Sequence, residues 1–215
     1  MKNSKIKLIK LCGIMMAAMV IMVGCSSTGM ERSEKTSTTM ETMDNDIMTV
    51  IAQIEITKAS LEAMMRPNQQ DIKSTYESFK ENVSKMESKE DDFIEHAKEM
   101  KKRGKEYFAE WEKEGNEYSN PQIQQLSDQR RNELGSIYDR IAENSVGVTE
   151  AYRVYLSDIK EMQLYLSNDL TSKGIDTISP VSKKIVADGN NLKYNLESLQ
   201  NAINRAREEM HQSGR

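Results

Sequence analysis

Residues 72–111 read IKSTYESFKENVSKMESKEDDFIEHAKEMKKRGKEYFAEW. Apolar or small side chains recur in this stretch every three or four positions, and Glu90 is the only polar member of the series. Such spacing places the apolar groups along one stripe of an α-helix, with charged residues on the flanks. The series comprises Ile72, Tyr76, Phe79, Val83, Met86, Phe93, Ala97, Met100, Gly104, Tyr107 and Trp111, with Glu90 between Met86 and Phe93. The stretch therefore predicts one long amphipathic helix whose stripe must be covered by other helices.

Three further segments carry the same spacing. It averages about 3.5 residues per turn, which is typical of helices that pack along a coiled-coil-like seam. The sets are Ile47, Val50, Ile54, Leu61 and Met64; Leu134, Ile137, Ile141, Ser145, Val148, Tyr152, Tyr155, Ile159, Met162 and Leu166; and Val181, Ile185, Leu192, Leu196, Leu199, Ile203, Ala206 and Met210. We predict helices over about residues 43–65, 69–118, 121–172 and 180–211.

Prolines mark the boundaries between these helices, because proline cannot continue a helix but suits its first turn. Pro67 follows the first helix, and Asn68 is expected to cap the second. The pairs Asn120-Pro121 and Ser179-Pro180 each combine a capping residue with a first-turn proline, and so should open the third and fourth helices. Gly174 suits the left-handed position after a helix and is expected to end the third.

The helix lengths predict an all-α, elongated, antiparallel bundle. The second and third helices have about 50 residues each, or about 75 Å, and their short connection makes them antiparallel neighbours. The first and fourth are shorter. We expect a four-helix thick end and a two-helix hairpin extension near residues 103–137.

The composition favours a helical protein over a β-sheet protein or a disulfide-rich protein. Charged residues make up 30% of the chain and aromatic residues only 6%. A sheet protein would contain more aromatic and β-branched residues. Both cysteines, Cys12 and Cys25, lie within the first 25 residues. The body therefore has no disulfide framework and no cysteine-based metal site.

The N-terminus has the features of an export signal. Four lysines in residues 1–10 precede the apolar run 11–23, which ends in small residues before Cys25. The segment Met22-Val23-Gly24-Cys25 resembles the lipobox of bacterial lipoproteins, although Met22 replaces the usual leucine. That resemblance implies cleavage after Gly24, so that residues 1–24 are a signal peptide, and diacylation of Cys25. An ordinary signal peptide or an uncleaved anchor remains the alternative.

The predicted anchor implies a location. No aspartate follows Cys25, and by the lipoprotein sorting rule this resembles an outer-membrane destination facing the periplasm. Residues 25–42 are rich in Ser, Thr and Glu without apolar periodicity, and we expect them to be the lipidated cysteine and a flexible tether. Removal of residues 1–24 leaves 26 basic and 34 acidic side chains, a net charge of −8. An acidic body repels nucleic acid, so we expect no nucleic-acid partner.

Metal and catalytic constellations are not expected. A di-metal bundle needs Glu-x-x-His from two helices, and Glu208 with His211 forms the only such pair. His96, between Asp92 and Glu99, is interpreted as a salt-bridged surface histidine. The sequence contains no G-x-S-x-G, no Gly-rich phosphate loop and no H-E-x-x-H. We therefore predict no metal, no cofactor, no catalytic residue and no small-molecule substrate.

The predicted extension contains a candidate contact surface for a partner or for a second copy of the chain. Its residues are Tyr107, Phe108, Trp111, Tyr118, Arg130 and Arg131. Aromatic and arginine side chains are the types that anchor protein interfaces. The alternative is a solvated coiled-coil tip whose basic residues pair with Glu110, Glu112 and Glu114. The sequence leaves both interpretations open.

Two internal segments add a family resemblance. With the lipobox, residues 165–175 (YLSNDLTSKGI) and 128–131 (DQRR) resemble a family of bacterial lipoproteins catalogued only as a domain of unknown function. The resemblance implies an all-helical body over most of the mature chain and transfers no catalytic or binding residues.

These features favour a lipid-anchored, non-catalytic envelope protein that acts as an adaptor, spacer or assembly factor. Its expected partners are the membrane, through Cys25, and another envelope protein or a second copy. The alternative function is a periplasmic holdase chaperone or an envelope-remodelling factor. A holdase would need an exposed apolar cleft, and a remodelling factor would need a basic face.

Overall fold

The computed structural model describes residues 28–66, 71–115 and 118–212. They form four helices: α1 (Gly29–Met64), α2 (Ile72–Gly115), α3 (Pro121–Asn168) and α4 (Ser172–Gln212). Within these ranges the chain has no strand, so the predicted all-α class is confirmed. The predicted signal peptide and Cys25 lie outside the described residues.

The four helices form an up-down-up-down bundle. α1 and α3 each pack on both α2 and α4, whereas the diagonal pairs do not pack directly. Arg32, at the start of α1, bonds Glu114 at the end of α2, and Tyr76 near the start of α2 bonds the Gln163 carbonyl near the end of α3. Neighbouring helices are therefore antiparallel, as predicted. α3 has 48 residues and is about 72 Å long at 1.5 Å per residue.

A single apolar core runs along the bundle axis. Most members of the predicted stripes are buried in it, and the largest fully buried side chains include Phe79, Phe93, Tyr152 and Tyr155. Glu90, the polar member of the α2 series, lies 3.7 Å from Arg153 of α3. Each helix contributes a buried stripe, and the four stripes pack together along this core.

The first helix is longer than predicted, and the expected flexible tether is helical from Gly29 onward. The Thr28 side chain caps α1 by accepting a hydrogen bond from the Glu31 N–H at 3.2 Å. The stripe of α1 extends upstream through Arg32, Thr36 and Met40, all buried. It was missed because two of these residues are polar. The Thr36 hydroxyl donates to the Arg32 carbonyl at 2.9 Å, which satisfies it inside the helix.

The expected two-helix extension is covered on both sides. α1 begins beside the last turn of α2, where Arg32 contacts Glu114. α4 reaches the first turns of α3, where Glu209 accepts a hydrogen bond from Arg130 at 3.0 Å. The bundle thus has four helices over almost all of its length. The extra helical turns of α1 and the early start of α4 account for this difference.

The fourth helix starts eight residues earlier than predicted. α3 ends at Asn168, and α4 begins at Ser172, with Pro180 inside it. Thr171 caps α4, since its hydroxyl accepts a hydrogen bond from the Gly174 N–H at 3.1 Å. Asp169 in turn accepts from the Thr171 hydroxyl at 2.7 Å. The prediction that Gly174 ends α3 was therefore wrong.

Packing explains why α4 continues through its proline. Pro180 removes one backbone donor and leaves the Asp176 carbonyl without its usual helical partner. Ile175 is buried, and Ile178 packs against the core one turn later. Burial of these two side chains favours the helical path before the proline. The capping pair Asn120-Pro121, in contrast, opens α3 as predicted: the Gln122 N–H donates to Asn120 Oδ1 at 2.9 Å.

Candidate contact surface

The six predicted contact residues lie at one end of the rod. This end, called the Thr28 end below, comprises the start of α1, the α2–α3 connection (residues 115–121) and the end of α4. The opposite, Met64 end comprises the end of α1, the start of α2 and the α3–α4 turn (residues 168–172). The antiparallel topology brings the six residues to the same end.

Three of the aromatic side chains form a cluster that packs against the core. The Tyr107 ring stands edge-on to Phe108 and to Trp111, with centroids 5.1 and 5.7 Å apart. Phe108 makes a similar contact with Tyr138 of α3 at 5.7 Å. The Trp111 indole N–H donates to Ser127 Oγ at 3.1 Å. Tyr107, Phe108 and Trp111 are half-buried, so packing within the bundle covers much of the predicted contact surface.

A helical glycine admits the ring on which this cluster rests. A Cβ built on Gly104 would lie 1.9 Å from the Tyr138 ring. The Tyr138 hydroxyl donates to the Met100 carbonyl on the preceding turn of α2. Burial raises the pKa of Tyr138. Glycine is therefore required at position 104, because a larger residue would overlap the buried Tyr138 ring.

Both predicted arginines are engaged within the bundle. Arg130 donates to Glu209 Oε2 at 3.0 Å and to the Glu209 carbonyl at 2.8 Å. Arg131 donates to Asp128 at 2.9 Å, and its guanidinium lies against Gly115 at the end of α2. A cation near the C-terminus of a helix is favourable because carbonyl groups there lack helical partners. Arg130 thus joins α3 to α4, whereas the ion pair of Arg131 lies within α3.

A third arginine at this end, Arg32, was not among the predicted contact residues. Arg32 is almost fully buried and binds both carboxylate oxygens of Glu114, one of them at 2.8 Å; its Nε lies 3.4 Å from Glu110. The hydrogen bond from Arg32 holds the pKa of Glu114 below its usual range. Burial raises the pKa of Tyr107, and the charges of Arg32 and Arg130 partly oppose that rise. Only the N-cap signal of Thr28 could have indicated a helix here.

The remaining predicted aromatic residue, Tyr118, is 45% exposed. Three other large apolar side chains at the Thr28 end are also exposed: Ile123 by 49%, Leu126 by 66% and Met30 by 82%. Side chains of this kind at the end of a bundle can bind another apolar surface. These four side chains are the large apolar groups at the Thr28 end that the bundle leaves 45–82% exposed.

A groove between α2 and α3 lies on the side of the rod. Its volume is about 280 Å³, and its floor includes Ala97, Met100 and Ala142. Lys101 and Arg153 lie on its rim. Ligand pockets are usually about 300–1,000 Å³, so this groove suits a few apolar side chains rather than an extended segment.

The histidine predicted to form a surface salt bridge has a different partner. His96 Nδ1 lies 2.5 Å from Asp46 Oδ2 of α1, rather than pairing within α2. Across the described ranges, no three His, Cys, Asp or Glu side chains are grouped as metal ligands. None of the four helices described contains the sustained apolar stretch that crossing a bilayer requires.

Comparisons with known proteins give one family. No curated protein and no solved structure matches the chain. A protein-family model described as protein of unknown function (DUF2959) matches residues 51–212. This range covers the last 14 residues of α1 and all of α2, α3 and α4. The predicted membership in an uncharacterised helical family is therefore confirmed: the chain belongs to the DUF2959 family.

Proposed function

We propose that this protein is a lipid-anchored helical rod of the bacterial cell envelope that acts without catalysis, as a spacer, adaptor or assembly factor. One observation carries the proposal. Thr28, which caps α1 at one end of the rod, follows the lipobox cysteine Cys25 by only three residues. An acyl anchor on Cys25 would attach the bundle by its end, with no long tether between them.

The core supports a spacer role. Buried side chains occur all along the bundle, from Met40 near the Thr28 end to Met64 and Leu166 near the other. A continuously packed four-helix bundle resists bending, because interior packing has few voids that could absorb deformation. Attached at the Thr28 end, the rod would carry its Met64 end about 70 Å from the bilayer.

The proposed compartment rests on sequence features. We place the anchor in the outer membrane and the rod in the periplasm, since Ser26 rather than aspartate follows Cys25. Two acyl chains hold a protein at a membrane stably, whereas one chain gives only marginal binding. The acidic body argues against a role that depends on anionic lipid headgroups along its sides.

Metabolic labelling with a palmitate analogue tests the anchor. Cells expressing the wild-type chain, Cys25→Ser and Cys12→Ser are labelled, and their membranes are separated by density. Cys12→Ser is the matched control, because Cys12 lies in the predicted signal peptide. We expect label on the wild type and on Cys12→Ser, in the outer-membrane fraction, and none on Cys25→Ser. Equal labelling of all three, or of none, would contradict the proposal.

Site-specific photocrosslinking tests the adaptor role. The crosslinker is placed at three exposed positions: Tyr118 at the Thr28 end, Tyr194 on the side of α4 and Leu164 near the Met64 end. An adaptor should give a discrete adduct with one envelope protein from one of these positions. A second copy of the chain in the adduct would indicate self-association instead. If all three positions give only diffuse adducts, a holdase fits better, and suppression of client aggregation would be measured next.

A further inference from the structure

The Thr28 end has a second feature that points to a membrane. Its exposed apolar side chains come from three separate segments: Met30 from α1, Tyr118 from the connection, and Ile123 with Leu126 from α3. Tyrosine is enriched where proteins meet the membrane–water interface, because its ring is apolar and its hydroxyl is polar. Four of the eleven large apolar side chains that are exposed in the described residues lie at this end, and the other seven are spread along the rod. Exposed apolar side chains of this kind can bind a partner surface.

The helix register explains why the described part of α4 leaves two of these residues exposed. Ile123 and Leu126 lie on the same face of α3 as Arg130, at intervals of three and four residues. Arg130 bonds Glu209, which is three residues before the end of α4. Leu126 is about 6 Å further along α3, and Ile123 about 10 Å. Both therefore extend past the last turn of α4 described here, on the side of α3 that α4 covers elsewhere.

Two segments at this end carry no charged side chain, although charged residues such as Glu31 and Glu114 lie beside them. Residues 118–127 (YSNPQIQQLS) contain no charged side chain, and this is the longest such run after residue 30. Residues 25–30 (CSSTGM), which lead into α1, are also uncharged. Charged residues make up 30% of the chain as a whole. Entry into the interfacial layer of a bilayer is costly for charged groups, so two uncharged segments at one end favour contact with lipid.

Chain length limits how far this end can be from the anchor. Thr28 is three positions after Cys25, and a fully extended chain covers at most about 3.3–3.6 Å per residue. The cap of α1 can therefore be no more than about 11 Å from a lipidated Cys25. Met30 lies one turn or less beyond the cap, in the first turn of α1.

We infer that the Thr28 end docks on the lipid bilayer itself, with Met30, Tyr118, Ile123 and Leu126 in the interfacial layer. The acyl chains and this apolar end would act as two contacts, so that the rod stands end-on rather than pivoting freely. This inference rests on the proposed function, because the distance argument requires a lipid on Cys25.

Quenching by spin-labelled lipid tests the inference. The full lipidated chain carries either Leu126→Cys or Leu164→Cys, is labelled with an environment-sensitive fluorophore, and is reconstituted into vesicles of phosphatidylethanolamine and phosphatidylglycerol. Leu164 is the matched control: it is an exposed leucine on the same helix, about 57 Å away. The new thiol is the only free one, since the Cys25 sulfur is occupied by the lipid and Cys12 is removed with the signal peptide.

We expect the Leu126 probe to shift to shorter wavelength and to be quenched at least threefold more than the Leu164 probe by lipids labelled near the headgroup. Equal, weak quenching at both positions, in protein that carries palmitate, would overturn docking and leave the lipid anchor standing. Failure of palmitate labelling would overturn the anchor first and the docking inference with it. A wavelength shift without lipid quenching would show that a second copy covers this end, and would also overturn the inference.

A second variant separates docking from an effect of the label. The probe is placed at Met30→Cys, and Ile123 and Leu126 are both replaced by serine. Both residues are exposed, so circular dichroism should show the helix content of the parent. We expect lipid quenching of the Met30 probe to fall by at least half. Unchanged quenching would show that the acyl chains alone hold the end at the bilayer.

Discussion

The middle of the rod and its Thr28 end are held together by different interactions. In the middle, side chains such as Phe93, Tyr152 and Ile159 are fully buried, and the rings of Phe93 and Tyr152 stand edge-on with centroids 6.0 Å apart. At the Thr28 end the aromatic rings are half-buried, and Arg32 and Arg130 join the helices through carboxylates. The middle therefore depends on apolar burial, whereas the end depends on pairs between particular helices.

The largest expected effect comes from removing a ring in the middle. Phe93→Ala should lower the free energy of unfolding by about 3–5 kcal/mol, because the ring is fully buried and its loss leaves a cavity. Phe108→Ala is the matched control, on the same helix but half-buried at the Thr28 end. Its cost should be less than half as large. Chemical denaturation of both variants checks the comparison, and equal losses would contradict it.

A pair of glycines tests the close approach of α2 and α3. Gly104→Ala should cost about 1–3 kcal/mol, because the new methyl group would overlap the Tyr138 ring and force the helices apart. Gly135→Ala is the control: nothing lies within 4 Å of the position that its Cβ would take. That variant should gain about 0.5–1 kcal/mol from helix propensity. Opposite shifts in melting temperature are the expected result, and shifts of the same sign would count against the packing described.

The buried Arg32 tests whether the Thr28 end has a local stability of its own, separate from that of the middle of the rod. Arg32→Ala should cost about 1.5–3 kcal/mol, the range for hydrogen bonds to charged groups, and should loosen the first turns of α1 before the rest of the bundle. Hydrogen exchange of residues 29–40 is the measurement. Lys35→Ala is the control, since Lys35 is exposed and only 3.8 Å from Glu31; such pairs contribute about 0–1 kcal/mol. Uniform protection across α1 in Arg32→Ala would contradict the prediction.

The smallest effects are expected at two buried tyrosines in the middle. Tyr152 donates to the Met86 carbonyl at 2.8 Å, whereas the buried Tyr155 hydroxyl has no hydrogen-bond partner among the described residues. Tyr152→Phe should therefore cost about 1 kcal/mol, and Tyr155→Phe should be neutral or gain up to about 1 kcal/mol. Denaturation at pH 7 compares the two, and a larger loss for Tyr155→Phe would reverse the assignment.

Three buried tyrosines, the two above and Tyr138, determine the expected response of stability to alkaline pH. Burial raises the pKa of Tyr138, Tyr152 and Tyr155 in the folded chain. Their neutral form is favoured by folding, so this contribution is complete below about pH 10 and is lost as the pH rises toward the folded-state pKa. Each tyrosine should lower the free energy of unfolding by up to about 1.4 kcal/mol per pH unit above 10. Tyr155→Phe should reduce that slope by one tyrosine's share, measured by denaturation between pH 9 and pH 11.

The positions of the candidate contact residues along the rod could be predicted from the sequence, but their bonding partners could not. Position along the chain places Tyr107, Trp111 and Arg130 at one end of the rod, because all three are near the α2–α3 connection. Their engagement could not be read from the sequence. Arg130 bonds Glu209, 79 positions away, and Arg32 bonds Glu114, 82 positions away. Nothing in local spacing specifies such pairs.

The sequence by itself determined the helical class, the buried stripes and the antiparallel order. Side-chain periodicity and caps such as Asn120-Pro121 are short-range properties, so they can be read along the chain. Only the tertiary structure decided that polar Arg32 and Thr36 continue a buried stripe, and that α4 passes through Pro180. In both places local preference opposes the observed structure. Packing against neighbouring helices outweighs that preference, because burial and cross-helix pairing contribute more than the local propensity costs.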